Sequence, residues 1–179
     1  MERCLTPTNY ELIPLDDKTN VRFFTSVDSG SYIAPHWHDA LEIVYILEGS
    51  LKVIIYGTSH EVKQGQCIMI SANQIHSTLC TSPNRAIVFQ TPMGFMEKFI
   101  PEVQNLHFSL NDPAETPILQ SKVELFKETL LKMQVLIDLQ PDGGILRFNS
   151  LLFEILFQLY HNFCTRDESE KTARHNRNL

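Results

Sequence analysis

The chain has 179 residues, 43% of them hydrophobic, enough for one domain with a substantial core. Its formal net charge is −6 and it has no basic block, which excludes the electrostatic footprint of a nucleic-acid binder. No signal peptide is legible and the apolar stretches are too interrupted to span a bilayer, so a cytoplasmic protein with no membrane partner is expected.

Residues 1–20, with Pro7, Pro14 and an Asp-Asp-Lys turn, read as an N-terminal arm or edge strand. Residues 21–91 hold short strand-like runs at 21–27, 32–38, 41–47, 51–56, 60–62, 67–71, 75–80 and 86–90. Turn residues separate them, among them Asp28-Ser29-Gly30, Glu48-Gly49-Ser50 and Gly57-Thr58-Ser59. Many short strands at near-regular spacing predict a mainly β domain, a sandwich or a barrel.

Residues 92–117 form a proline-marked connector with one short helix near 95–100. Residues 118–165 carry two helices. In the first, Leu119, Val123, Phe126, Leu130, Met133 and Ile137 form an amphipathic stripe. Pro141-Asp142-Gly143-Gly144 interrupts it, and the next helix starts near Asp142 or Gly143. This second helix is apolar almost all round, leaving a narrow polar strip of Asn149, Glu154, Gln158 and Asn162. A helix so apolar needs cover on several sides. The first helix and the strands are one source of that cover, and a homodimer through Phe148, Leu152, Ile155, Leu156 and Leu159 is expected to supply the rest. Residues 166–179 are polar, have no closing element, and read as the start of a linker. Cys4, Cys67, Cys80 and Cys164 are scattered with no Cys-x-x-Cys, as in a protein with reduced thiols.

The chemistry-bearing residues lie at fixed spacing. His36, His38 and Glu42 share parity, so an unbroken strand would point all three to one face. A second strand carrying His76 would bring a fourth group opposite them. Three imidazoles and a carboxylate can hold a divalent transition metal such as Zn, Ni, Mn or Fe. The same four residues can instead line a metal-free ligand pocket or form a structural polar cluster. Trp37 and Tyr45, of opposite parity, read as outer packing, and Met93, Met96 and Met133 as core. Arg22 and Arg85 suit an anionic effector, although a solvated strand edge is their plainer reading.

The segment Gly30-x5-His36-x-His38-x3-Glu42-x6-Gly49 resembles the first motif of the cupin superfamily at every position. The second motif is degraded. Gly65 and His76 match, while Ser71, Asn73 and Cys80 replace its proline, glycine and asparagine. The resemblance implies a cupin jelly-roll antiparallel β-barrel with His36, His38, Glu42 and His76 as the metal and ligand positions. The phrases His36-Trp37-His38-Asp39-Ala40-Leu41-Glu42-Ile43 and Ile70-Ser71-Ala72-Asn73-Gln74-Ile75-His76, with the order of elements, are similar to the sensor half of AraC-family transcriptional regulators. That likeness implies a small-molecule effector in the barrel, dimerising helices, and DNA contact through a C-terminal helix-turn-helix domain missing from this sequence. The fragment itself is then expected to bind no nucleic acid. A stand-alone metal-dependent cupin enzyme, a dioxygenase or isomerase, is the alternative. No serine, cysteine or basic residue recognisably completes a catalytic scheme beside the cluster, so the chain is expected not to be an enzyme.

Overall fold

The computed structural model describes residues 9–110 and 116–166. The outer part of the expected arm with Cys4, residues 111–115 of the connector, and the expected linker beyond residue 166 lie outside the described residues.

The first nine strands are β1 (Asn9–Tyr10), β2 (Arg22–Asp28), β3 (Tyr32–Trp37), β4 (Ala40–Glu48), β5 (Ser50–Ile55), β6 (Thr58–Lys63), β7 (Cys67–Ile70), β8 (His76–Leu79) and β9 (Asn84–Pro92). They make a five-stranded sheet, β1-β3-β8-β5-β6, and a four-stranded sheet, β2-β9-β4-β7. The short edge pairing of β1 with β3 is parallel. The expected mainly β cupin-type architecture with two following helices is present. The strands, however, form two facing sheets and not one closed barrel.

Turn chemistry explains the strand boundaries. The β5–β6 hairpin turns on Tyr56 and Gly57, both at positive φ, as a tight two-residue hairpin loop requires. Gly49 sits at φ 76, and a Cβ there would collide with the Pro83 carbonyl oxygen. The glycine closing the first motif is thus required by a close backbone approach.

The four-stranded sheet is buried on both faces. On β4, Leu41 and Ile43 point outward to the helices, and on β9 so do Ile87 and Phe89. The alternate residues Val44, Ile46 and Ala86 point inward and pack with Val53 and Val62 of the opposite sheet. The period-two pattern therefore separates two apolar clusters on either side of one sheet.

The helices cover the outer face. They are α1 (Met93–Met96), α2 (Pro117–Leu139) and α3 (Gly144–Asn162). The Thr116 hydroxyl accepts from the Leu119 amide and Pro117 opens the first turn, which fixes the start of α2. Gly143, at φ 71, caps α3. Phe126, Leu130 and Met133 of α2 are fully buried, but Ile137 is exposed and Leu136 packs inward in its place. The stripe drifts because 3.6 residues per turn carries the last position off the buried face.

Two expectations need correction here. Phe148, Leu152, Ile155, Leu156 and Leu159 are buried in the chain's own core, so they are not the surface a second subunit would meet. The apolar residues that α3 leaves exposed are Ile145, Leu146, Phe153, Phe157 and Tyr160. Gln158 is not part of a solvated strip: it is buried and donates to Thr129 of α2 and to Glu154. One further pairing follows α3. Strand β11 (Cys164–Arg166) pairs antiparallel with β10 (Leu106–Phe108) in the connector. No helix among the described residues is long and apolar enough to cross a membrane.

Candidate metal centre

The site spans the gap between the two sheets. His36 of β3 and His76 of β8 are directly paired across the five-stranded sheet. On the other sheet, Arg22 of β2 and Glu42 of β4 flank Gln90 of β9 in register. His38 lies between β3 and β4, where the chain passes from one sheet to the other. The four expected residues do converge, but not by parity on one unbroken strand. The strand ends at Trp37, and the crossover carries His38 to its place. An extra residue in β3 between Ile33 and His36 re-aims the strand. Pro35, which has no amide to donate, sits in that irregularity.

The degraded second motif still holds its loop. Asn73 adopts φ 64 where the motif has glycine, a conformation asparagine tolerates. Its amide donates to the His38 carbonyl at 2.8 Å, which ties the turn before His76 to the crossover. Cys80, in the place of the motif's asparagine, donates its thiol hydrogen to the Ser82 carbonyl.

All three imidazoles are oriented in the same way. Nδ1 of His36 lies 2.9 Å from the Ala34 carbonyl, that of His38 3.0 Å from Ala40, and that of His76 2.9 Å from Gln74. A carbonyl accepts only, so each Nδ1 carries the proton and each Nε2 faces the site. A backbone carbonyl on the far nitrogen is the usual support of a metal-ligating histidine. The three histidines offer ligand atoms that lie within 4.8 Å of one another. His76 Nε2 is buried with no hydrogen-bond partner among the described residues. That orphaned lone pair, beside two more imidazoles, fits a divalent cation.

Glu42 completes the arrangement. Its Oε2 lies 2.9 Å from His38 Nε2 and 4.0 Å from His76 Nε2, and accepts from Gln90 Nε2 at 2.6 Å. Burial pushes the Glu42 carboxyl up, but the His38 hydrogen bond, the charge on His76 and the Gln90 amide outweigh it and hold it low. Burial pushes His38 down, and its hydrogen bond and charge interaction with Glu42 reverse this, so His38 is raised. With Nδ1 already donating to Ala40, the His38–Glu42 contact needs a second proton on Nε2, and a metal ion would take that proton's place. Burial pushes His76 down more than the Gln74 carbonyl and the Glu42 charge restore.

His36 and His76 open on a cavity of about 560 Å³ between the sheets. Its wall includes Arg22, Phe24, Ser26, His36, Glu42, Thr78 and Gln90, with Glu11 at the N-terminal side. Sequence reasoning missed Glu11 and Gln90. Gln90 is legible in retrospect, because Ala86 and Val88 share its parity and it is the polar member of that inward-facing set. Arg22 lines the cavity and is no solvated edge, whereas Arg85 pairs with Glu48 at the surface. Trp37 packs edge-on to Tyr10, away from the histidines. Cys67, Cys80 and Cys164 are free thiols, and burial pushes Cys67 up to about 12.

Residues 23–90 match the family model of the cupin domain. No curated protein matches the chain. Among solved structures the chain is similar to the EutQ protein of Clostridium difficile, at 19% identity over 40% of this chain and 56% of that one, with TM-score 0.37. It is also similar to the DMSP lyase DddQ of Ruegeria pomeroyi, at 22% identity over 42% of this chain and 40% of that one, TM-score 0.38. A third is a predicted oxalate decarboxylase of Thermotoga maritima, at 22% identity over 41% and 69%, TM-score 0.39. The match spans less than two thirds of the EutQ and lyase chains. At these identities the likeness concerns the fold alone. The expectation that the chain is not an enzyme is nonetheless corrected, because structures sharing the fold include a lyase and a predicted decarboxylase. The two facing sheets that carry the histidines have the cupin fold, and residues 23–90 of them match the cupin-domain family model.

Proposed function

We propose that the chain is the effector-sensing and dimerising part of an AraC-type transcriptional regulator acting in the cytoplasm. The cupin domain takes a small polar molecule in the cavity beside His36, His76 and Glu42. His36, His38 and His76 hold a divalent transition metal, and Glu42 either joins them or holds His38 in place. Such an ion supplies Lewis acidity, polarising an oxygen bound to it. The chain's own residues do the rest. The carbonyls of Ala34, Ala40 and Gln74 aim the imidazoles, and Gln90 fixes the Glu42 carboxylate. In this reading DNA is gripped by a separate helix-turn-helix domain.

One observation carries the regulator reading: a cavity-bearing cupin domain is joined to a helical pair whose outward side stays apolar. Leu131 and Val135 of α2 and Phe153 and Phe157 of α3 are exposed. Two-fold association through them would bury that surface and hold two copies side by side. Sedimentation at micromolar concentration tests it, with a dimer expected. A strictly monomeric protein would remove the dimerising role.

A second reading is favoured by the orphaned His76 Nε2. A metal held by three histidines beside an open cavity is also the arrangement of a metal-dependent cupin enzyme. Turnover of a bound molecule by metal-loaded protein would select it over the sensor.

A further inference from the structure

We propose that the cavity ligand is a small organic carboxylate, clamped between the Arg22 guanidinium and the cation position at His36, where the Glu11 carboxylate sits as a built-in stand-in. The proposal rests on the reading of this cavity as the ligand site, and it names the class of molecule bound there.

The geometry of Glu11 carries the argument. One oxygen of its carboxylate lies 3.6 Å from Arg22 Nη1, and the other lies 3.3 Å from His36 Nε2. A single carboxylate thus already spans a guanidinium and an imidazole of the metal centre. Glu11 is poorly secured there. Its side chain is about two-fifths exposed, and it follows β1, an edge strand of only two residues. The main chain is held separately, by the Glu11 amide donating to the Trp37 carbonyl at 2.9 Å. The side chain can therefore swing out without unpairing the strand.

Arg22, in contrast, is fixed. Its Nη1 lies 3.2 Å from Gln90 Oε1, and its guanidinium carbon lies 4.4 Å from the Phe24 ring centroid. A guanidinium so held presents its remaining N–H donors in a fork that matches a carboxylate. Among the described residues Arg22 is the one lysine or arginine on the cavity wall.

Charge points the same way. With a dication at the histidines, the wall carries that ion and Arg22 against Glu42, whose Oε2 is taken up by His38 and Gln90. Asp28, also on the wall, is spent on its own turn, accepting from Gly30 and Ser31. If Glu11 swings away, positive charge is left uncovered in the recess between the sheets, where Arg22 is only partly exposed. An anionic ligand restores the balance, whereas a neutral polyol would leave a partly buried cation unmatched. The cavity's size suits a small ligand of this kind.

The test is calorimetric titration of the full chain, zinc-loaded and zinc-free, with succinate and acetate and their neutral counterparts succinamide and acetamide. The expected result is carboxylate binding at least tenfold tighter than binding of the matching amide. Glu11→Gln removes the competitor and should tighten carboxylate binding several-fold. Arg22→Met should weaken it at least tenfold with zinc content unchanged, and Arg22→Lys should fall between. Amides binding as well as carboxylates, or Glu11→Gln leaving carboxylate affinity unchanged or weaker, would overturn the proposal. The metal is read separately by zinc content. Carboxylate binding that tightens in Glu11→Gln without retained zinc sinks the metal and keeps the carboxylate. Zinc retained without any carboxylate response does the reverse.

Discussion

The two faces of the four-stranded sheet are made by alternate residues of the same strands, yet they do different work. Outward, Leu41, Ile43, Ile87 and Phe89 meet α2 and α3 in a continuous apolar layer. Inward, Glu42, Val44, Val88 and Gln90 line a cavity that also borders two of the three histidines. The outer face is filled throughout, whereas the inner face combines a smaller apolar cluster with the cavity. A strand can serve both because its side-chain period is two, so a change on one face reaches the other only through the backbone. The larger apolar cluster thus lies on the helix side, and the chemistry lies on the side facing the second sheet.

The largest expected effect tests this division from the outer face. Phe89 is fully buried against the helices, and Phe89→Ala should cost about 3–5 kcal/mol by denaturant unfolding. The metal bound per folded molecule should not change. A loss of metal affinity in the still-folded variant would show the two faces to be coupled.

From the inner face, His76→Ala should abolish metal binding, read by elemental analysis. Metal at a hundredfold excess over its dissociation constant should stabilise the wild type by about 2.7 kcal/mol. The variant should show none of this. Equal thermal shifts in the two proteins would mean that the ion binds elsewhere.

The dimer prediction moves to the residues that the chain leaves uncovered. Val135→Glu combined with Phe157→Glu should convert dimer to monomer in sedimentation, while folding stability stays within about 0.5 kcal/mol for each change. An unchanged dimer would place the contact on some other surface.

Much of this was legible in the sequence. Turn residues marked most strand boundaries from β2 to β9, because glycine at positive φ is chemically distinctive and Gly30, Gly49, Gly57 and Gly65 all adopt it. The four site residues were legible from motif spacing, but parity on one strand was the wrong reason for their convergence. The crossover at His38 and the extra residue in β3 do that work. Arg22 and Glu11 carry no spacing signal, since their place depends on which strands pair across the sheet. The dimer residues were misplaced because a helix apolar nearly all round does not reveal which side faces its own domain. β10 and β11 were missed because three residues are too few to show a period.

The smallest expected effect lies at the rim of the cavity, at the turn after β2. The Asp28 carboxylate accepts from the Ser31 hydroxyl and from the Gly30 and Ser31 amides, which lower its pKa below the ordinary 3.8, while slight burial opposes them. A carboxyl depressed in the folded state adds stability above its unfolded pKa and loses it as pH falls through the folded value. Asp28→Asn should therefore lower the denaturation midpoint slightly at neutral pH and flatten its decline below about pH 4. Parallel acid limbs for the two proteins would assign the turn no part in the acid response.

The β10–β11 ribbon has a kinetic consequence. Its outermost pair joins Leu106 to Arg166, which encloses both long helices in one loop. Closing a loop of that length costs chain entropy, and a two-stranded ribbon repays little of it. The helices must dock before the ribbon can zip, which makes it a late event in folding. By the same reasoning it is among the first elements to open, at a free energy well below that of global unfolding. Amide protons of the ribbon should exchange early, and a protease able to act at an open strand should cut there while the sheets remain intact.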